Sequence, residues 1–533
     1  VGAAAHRRTD VVLVLERGPV PAWVRRVVEE VLARPFVAAS YVEVESGKAR
    51  GPRAFALYVR ADRALWGRSG VEDPHRACAI GDLLSQLHRW ESGGRAPDVV
   101  VDLSEGGAPP AGLRARHGVW RLTGVCHGDP AHQAAPFWTL YRGATTFTTA
   151  LQAILPGETV TVCASVSSAA ASSLPYSLHL CRAQATWKTA AFVARALDRL
   201  WATGELPRAP GPVPAGEQGP LPSGIQLARF LAGRATRLGR KLAERALYDE
   251  RWHVLVRRQP RGDLSQLRLE DFRVLPAEPR RYYADPIVYS EGERSYLFFE
   301  DCLDHPEKGD ISVVELDERG APRGPKRVIL EKPVHLSYPF VFRHGEEHFL
   351  IPESAGDRRI ELYRAVEFPW RWELDRVLFE GVNAADNTVL PHEGRLWLFT
   401  NIAVAGGPVD DELCLFYAEG PRAPWQPHPQ NPVVSDVRVA RPAGPVFRSG
   451  EELIRPSQDS SVRYGWALNL NRIEELSPTA YRERTVARIT PTQLGSRCLA
   501  THTFSVGGNL LVIDGYLRRS RLAAALERLR GPA

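Results

Sequence analysis

The apolar positions along this chain follow two different rhythms, and the change falls near its middle. In the first 200 or so residues compact apolar runs alternate with helical spacing. Residues 10–15 (DVVLVL) read as a buried strand, and after the turn at Gly18, Pro21 is placed to open a helix over 22–32. Residues 37–44 return as a strand, 98–103 (DVVVDL) repeat the buried-strand signature, and helical spacing recurs over 80–89 and 188–201. Strands alternating with helices predict an open, mostly parallel α/β sheet of Rossmann type over residues 1–203.

Residues 204–224 (GELPRAPGPVPAGEQGPLPSG) carry proline and glycine too densely for a regular element and predict a linker. A basic helix over 225–248 follows, with Arg229, Arg234, Arg237, Arg240, Lys241 and Arg245. Such a helix can lie on a membrane surface, but Gly233 and Gly239 weaken it, and a solvated helix is the favoured reading. Linker and helix together occupy 204–250.

From 251 to 520 the rhythm is strand-like and repeats. Gly292, Gly345, Gly394, Gly450 and Gly508 each sit between two apolar runs, and successive glycines stand 49 to 58 residues apart. That interval fits one four-stranded sheet per repeat, so a five-bladed, all-β propeller is predicted. The run 252–256 is placed to close the ring against the last blade, and 521–533 form a helical tail.

Composition narrows the class. With 44% hydrophobic and 24% charged residues and no long apolar run, the chain is expected to be soluble and cytoplasmic. Its start lacks an apolar block of signal-peptide length. Seven scattered cysteines, none in a C-x-x-C pair, suggest reduced thiols with neither a disulfide framework nor a zinc cage. A net charge of +6 admits anionic ligands such as nucleotide sugars, but it is too mild to argue for nucleic acid. Nothing in the pattern fixes an oligomeric state.

The repeat also collects chemistry. Each glycine marks a hairpin between two antiparallel inner strands, so the start of the first and the end of the second meet at one mouth of the channel. The starts carry Asp285, Tyr338, Asp386 with Asn387, Arg441 and His502. The ends carry Glu300 with Asp301, Glu353, Asn401, Gln458 with Asp459, and Asp514. A ring of acids, amides, an arginine, a tyrosine and a histidine suits a sugar, whose hydroxyls need paired donors and acceptors. For any one residue the blander reading, a polar blade end facing water, is stronger. For the set it is weaker, because Glu300, Glu353 and Asp514 follow apolar strands.

YADPIVY, a glycine hairpin and YLFFED together resemble the first blade of five-bladed glycosidases such as glycoside hydrolase family 43. The ordered set ADPIVY, SYPFVF, LIPES, TVLPHEGRLWLFT and RPSQD is similar to the N-terminal region of plant glucosamine inositolphosphorylceramide transferases and their bacterial relatives. The glycosidase resemblance implies that Asp285 is base or nucleophile and that Asp386 tunes a pKa. The acid that should open blade four is missing: ARPAGPVF puts Arg441 or Ala443 there. Without an acid a sugar alkoxide is hard to expel, whereas a phosphate leaving group needs a fixed cation, which Arg441 or Arg455 could supply. Alternatively Glu353 or Glu300 is the acid, from a different blade.

In the first segment, CHGDP, FWTLYRGATTFTTALQAI, GETVTVCASV and WKTAAF, in that order, resemble the formyltransferase fold. The resemblance implies that His127 handles the attacking amine and that Arg142 belongs to a Tyr-Arg-Gly motif. The family's Asn before the His and its later Asp are absent, so His127 lacks an orienting partner. Asp129 could bind a metal with His127, but no third ligand is evident, and no metal site is expected.

Three functions follow as expectations. The first is a carbohydrate-active enzyme making or breaking a glycosidic bond at the mouth, with Asp285, Glu353 and Asp386 as its catalytic groups. A sugar or glycoconjugate would be its substrate and a nucleotide sugar its possible donor. The second is a formyl- or acyl-transferase of an amino sugar or amine, which would need formyl-folate. The third is a non-catalytic glycan-binding scaffold.

Overall fold

The computed structural model describes residues 8–45, 52–67, 71–91, 95–104, 112–124, 130–157, 159–170, 177–209, 219–258, 267–304, 307–404 and 406–522. The chain divides into two compact units, 1–236 with 404–408, and 237–403 with 409–533.

The first unit holds a seven-stranded sheet. Its spatial order is His88–Arg89, Val37–Val44, Thr9–Glu16, Val99–Asp102, Val119–Thr123, Thr146–Ile154, Val160–Ala169. The first five strands pair in parallel and the last two pairings are antiparallel, so the sheet is mixed and mostly parallel. Both predicted buried strands lie in its middle, where Val11, Leu13, Val99 and Val101 are inaccessible to solvent. Parallel neighbours need crossovers, and Ala22–Leu32 supplies one, packing Trp23, Val27 and Val31 into the core. The predicted helix over 188–201 is the second half of a longer one, Leu178–Thr203, ended by Gly204 at φ +72°.

One element differs from expectation. Residues 80–89 give a single turn, Gly81–Leu84, and then the edge strand His88–Arg89, which pairs with Ser40 and Tyr41. The helical spacing of Ile80, Leu83 and Leu87 reported burial correctly, since all three enter the core. It did not report conformation, because sheet pairing overrides local propensity in so short a segment.

The basic helix spans Gly224–Leu247 and buries Leu227 and Phe230. Among the described residues no helix is long and apolar enough to cross a membrane.

The second unit is a five-bladed β-propeller. Four blades are four-stranded and consecutive in sequence, opening at Arg281, Ser337, Ala384 and Phe447. The fifth is composite: Phe504–Gly507 and Leu510–Ser520 from the C-terminal end join Tyr248–Arg258 and Arg273–Val274 from before blade one. Tyr248–Arg258 pairs with Leu510–Ser520 over all eleven of its residues, closing the ring. All five repeat glycines occupy two-residue hairpin loops with φ between +58° and +74°. Left-handed backbone matches the twist of the flanking strands there, which is why glycine recurs.

Candidate active site at the propeller mouth

Blades one, two and three open with the same irregularity. Asp285-Pro286, Tyr338-Pro339 and Asp386-Asn387 each form a two-residue step that the partner strand matches with one residue. The first residue of each step is left-handed, at φ +48°, +44° and +53°. For a non-glycine residue that conformation costs about 1–2 kcal/mol, so three repeats of it need compensation from their surroundings.

The compensation is a set of hydrogen bonds running around the ring from blade to blade. The backbone N–H of Tyr338 in blade two donates to Asp285 Oδ2 of blade one at 3.2 Å. The N–H of Asp386 in blade three donates to Glu353 Oε2 of blade two at 3.0 Å. Asp386 in turn accepts from two blade-four groups, Arg441 Nε and Gln458 Nε2, each at 2.6 Å. Blade five returns to blade one through Thr503 Oγ1, which donates to Asp285 Oδ1 at 3.0 Å. The Tyr338 hydroxyl lies 2.7 Å from Thr388 Oγ1 and accepts the Gly444 N–H at 2.7 Å, joining blades two, three and four.

Two charged groups dominate the mouth. The Arg441 guanidinium reaches Asp386, Asp410 Oδ1 at 2.6 Å and Glu353 Oε2 at 3.4 Å, with its side chain only 6% exposed. His502 lies between Asp514 Oδ2, 2.5 Å from Nδ1, and Asp285 Oδ1, 3.3 Å from Nε2, with the Trp252 ring tilted against it at 4.1 Å. The Asp514 carboxylate also accepts the backbone N–H groups of His502 and Thr503.

Burial and these neighbours set the protonation states. Burial opposes charge on His502, but Asp514 and Asp285 outweigh it and raise its pKa to about 9, so the ring is an imidazolium at neutral pH. Burial lifts Asp285 to about 7 against the pull of His502, with Glu300 and Asp386 adding to the lift. Glu353 is pushed well above the ordinary carboxylate range, by burial first and by the Asp386 charge next, despite Arg441. The mouth therefore holds a Glu353 biased towards its neutral form and an Asp285 whose pKa lies near 7.

Two groups of side chains have ligand atoms within 4.8 Å of one another: Asp285, His502 and Asp514, and Glu300, Cys302 and His335. In the first, both ring nitrogens of an imidazolium carry protons and face carboxylates. In the second, Gly309 N–H donates to His335 Nδ1 at 3.0 Å, which leaves the proton on Nε2, 3.0 Å from Glu300 Oε1. The first is a proton-bearing histidine between two acids, and the second is one facing a single acid, Glu300.

Other residues anticipated at the mouth brace it from within the blades. Asp301 is enclosed by Arg281, Lys326 and Ser312. Asn387 Oδ1 accepts from Thr400 Oγ1, and Asn401 Nδ2 donates to Val409 O. Asp459 pairs with Arg488 and accepts the Ser461 N–H. Arg455 is fully buried in a bidentate pair with Glu483 and also donates to Val439 O. Arg441, not Arg455, is the cation joined to Asp386 and Glu353.

Sequence reasoning missed Asp410, Thr503 and Tyr464. Asp410 lies in an insertion between the second and third strands of blade three, away from the strand ends that the repeat marks. Tyr464, whose ring underlies Arg441 at 5.0 Å, lies in a blade-four connection. Thr503 adjoins His502 and was within reach of the same pattern. In the first unit His127 and Asp129 fall outside the described residues, and Arg142 ends the helix Pro130–Arg142 with its guanidinium 5.6 Å from the Trp138 ring.

Fold and mouth together define a class: a five-bladed propeller with buried carboxyl groups, a clamped imidazolium and an arginine at one end of its channel. Residues 275–497 of it match the family described as glucosamine inositolphosphorylceramide transferase 1, N-terminal. The glucosamine inositolphosphorylceramide transferase 1 of Arabidopsis thaliana is 35% identical over 208 residues, 38% of this chain and 27% of that protein. That of Oryza sativa subsp. japonica is 36% identical over 208 residues, again 38% of this chain and 28% of that protein. The chain thus spans little more than a quarter of these relatives' length. Among solved structures, an exo-β-1,3-galactanase from Clostridium thermocellum aligns at 13% identity and TM-score 0.32, over 44% of this chain and 59% of that one. A family 117 glycoside hydrolase from Zobellia galactanivorans aligns at 10% identity and TM-score 0.32, over 50% and 90%.

Proposed function

We propose that the mouth carries out glycosyl transfer on a glycoconjugate. The observation that supports this most is the division of labour among its carboxyl groups. Burial biases Glu353 towards its neutral form, Asp285 has its pKa lifted to about 7 beside an imidazolium, and Asp386 is anchored by Arg441 and Gln458. Carboxyl groups pushed into different states are what acid–base work at a glycosidic centre requires. In this reading Asp285 is the base or nucleophile, and Glu353 supplies the acid that blade four lacks. Arg441 holds Asp386 and steadies negative charge developing on the leaving group. Transfer is preferred to hydrolysis because the curated relatives are named as transferases. By the same likeness the donor is a nucleotide-linked glucosamine and the acceptor an inositolphosphorylceramide.

The test is to follow glucosamine incorporation into inositolphosphorylceramide by mass spectrometry. Asp285→Asn and Glu353→Gln should each lower turnover by about 10²–10⁴-fold, with circular dichroism unchanged. Full activity in Asp285→Asn would place the chemistry elsewhere.

A second reading rests on the sheet of the first unit. Its leading strands take the spatial order 3-2-1-4-5 of doubly wound nucleotide-binding folds, with the switch point between Thr9–Glu16 and Val99–Asp102. That order suits a cofactor-using unit such as a formyltransferase of an amino sugar, with the propeller holding substrate. Formyl-folate-dependent product, lost in His127→Ala and retained in Asp285→Asn, would select it.

A further inference from the structure

We infer that the propeller carries a separate binding site for phosphoryl groups. It is a cleft of about 1020 Å³ beside the seam where blade five meets blade one. Seven arginines but only three acidic residues line it, a strong local bias in a chain whose net charge is +6. The floor is apolar, with Phe272, Leu275 and Leu494 buried. Low-dielectric walls beneath a cationic rim concentrate field on an incoming anion.

Five of the arginines divide into two kinds. Arg251, Arg281 and Arg518 are fixed by Asp304, Asp301 and Glu250, so their chains are ordered but their charge is largely answered. Arg280 and Arg497 are exposed, and no side-chain partner for either occurs among the described residues. Two unanswered guanidinium groups on one cleft, beside arginines already ordered by Asp304, Asp301 and Glu250, leave it a net positive charge for an anionic ligand to meet. The guanidinium fork matches tetrahedral oxyanions, and the cleft is large enough for a phosphoryl group plus the organic body that bears it.

Strand direction places the cleft on the catalytic end of the propeller. Arg281 and Asp285 share one inner strand, and Arg518 and Asp514 share another. Three residues of strand lie between the members of each pair, a span of about 13 Å.

Calorimetry with inorganic pyrophosphate on the full chain tests this. Binding should weaken with added salt and fall roughly tenfold or more in Arg280→Gln/Arg497→Gln, which removes a charge-assisted hydrogen bond per arginine. Arg395→Gln/Arg448→Gln, near the hairpins of the opposite end, should bind as the parent does. Sedimentation with phosphatidate-doped phosphatidylcholine vesicles separates the sources. Capture that pyrophosphate competes away assigns a lipid headgroup, and pyrophosphate binding without capture assigns a soluble phosphate ester. No binding of either probe, or binding undiminished in the Arg280/Arg497 variant, overturns the proposal. Asp285→Asn should bind pyrophosphate normally, so failure of the catalytic reading leaves this result standing.

Discussion

At the scale of single residues, the mouth is governed by how far burial and neighbouring charge move a proton. Activity should rise as Asp285 ionises, so kcat/KM is expected to increase through about pH 7. It should fall again near pH 9, where His502 loses the charge beside it. A flat profile from pH 6 to 10 would contradict both assignments. Stability follows the same groups. Because folding favours the imidazolium, the contribution of His502 is complete below its ordinary pKa of 6.5 and disappears as pH rises through about 9. Asp285 acts in the same direction, since folding favours its neutral form, and that preference is lost as pH rises through about 7. Thermal unfolding should therefore occur at lower temperature as pH climbs from 6 to 10, and His502→Gln should flatten the upper half of that slope. Arg441→Met leaves Asp386 buried with Gln458 as its remaining side-chain donor. Breaking such a pair costs about 3–5 kcal/mol, which chemical denaturation would register as an earlier midpoint.

At the scale of elements, the opening of blades one, two and three is set by a left-handed residue that glycine would occupy more easily. Aspartate and tyrosine stand there because their side chains bond the next blades, and the strain persists because those bonds hold it. Tyr338→Phe keeps the ring and backbone but leaves the buried Gly444 N–H without an acceptor. A loss of about 1–3 kcal/mol is expected, and unaltered denaturation would show that this bridge does not bear on the fold. The hairpins were legible in the sequence because a two-residue turn is local: glycine and the flanking apolar runs suffice to specify it. The two-for-one steps were visible only as the doublets Asp-Pro, Tyr-Pro and Asp-Asn, because a register shift depends on the partner strand as well. Asp285, Glu353, Asp386, Arg441 and His502 could be found because the repeat numbers strand ends. Asp410 and Tyr464 could not, because they sit on connections whose lengths differ from blade to blade. Residues 80–89 misled for a related reason: spacing shows which side chains enter the core, and pairing decides the backbone that carries them.

At the scale of the whole molecule, the ring is sealed by chain segments far apart in sequence. Deleting Tyr248–Arg258 would uncover the long edge of Leu510–Ser520, an open template for aggregation. The deleted protein should elute as a soluble oligomer or precipitate, whereas a native-like monomer would show that blade five stands without it. The seal also governs when the site comes into being during synthesis. Asp285 belongs to the first complete blade the ribosome releases, yet Thr503, which holds it together with His502 and Asp514, follows 218 residues later. A nascent or prematurely terminated chain can build its early blades but cannot hold Asp285 in its working state. Activity at the mouth would thus require that synthesis has passed blade five, and fragments released before that point would carry the acidic residues without the groups that hold them.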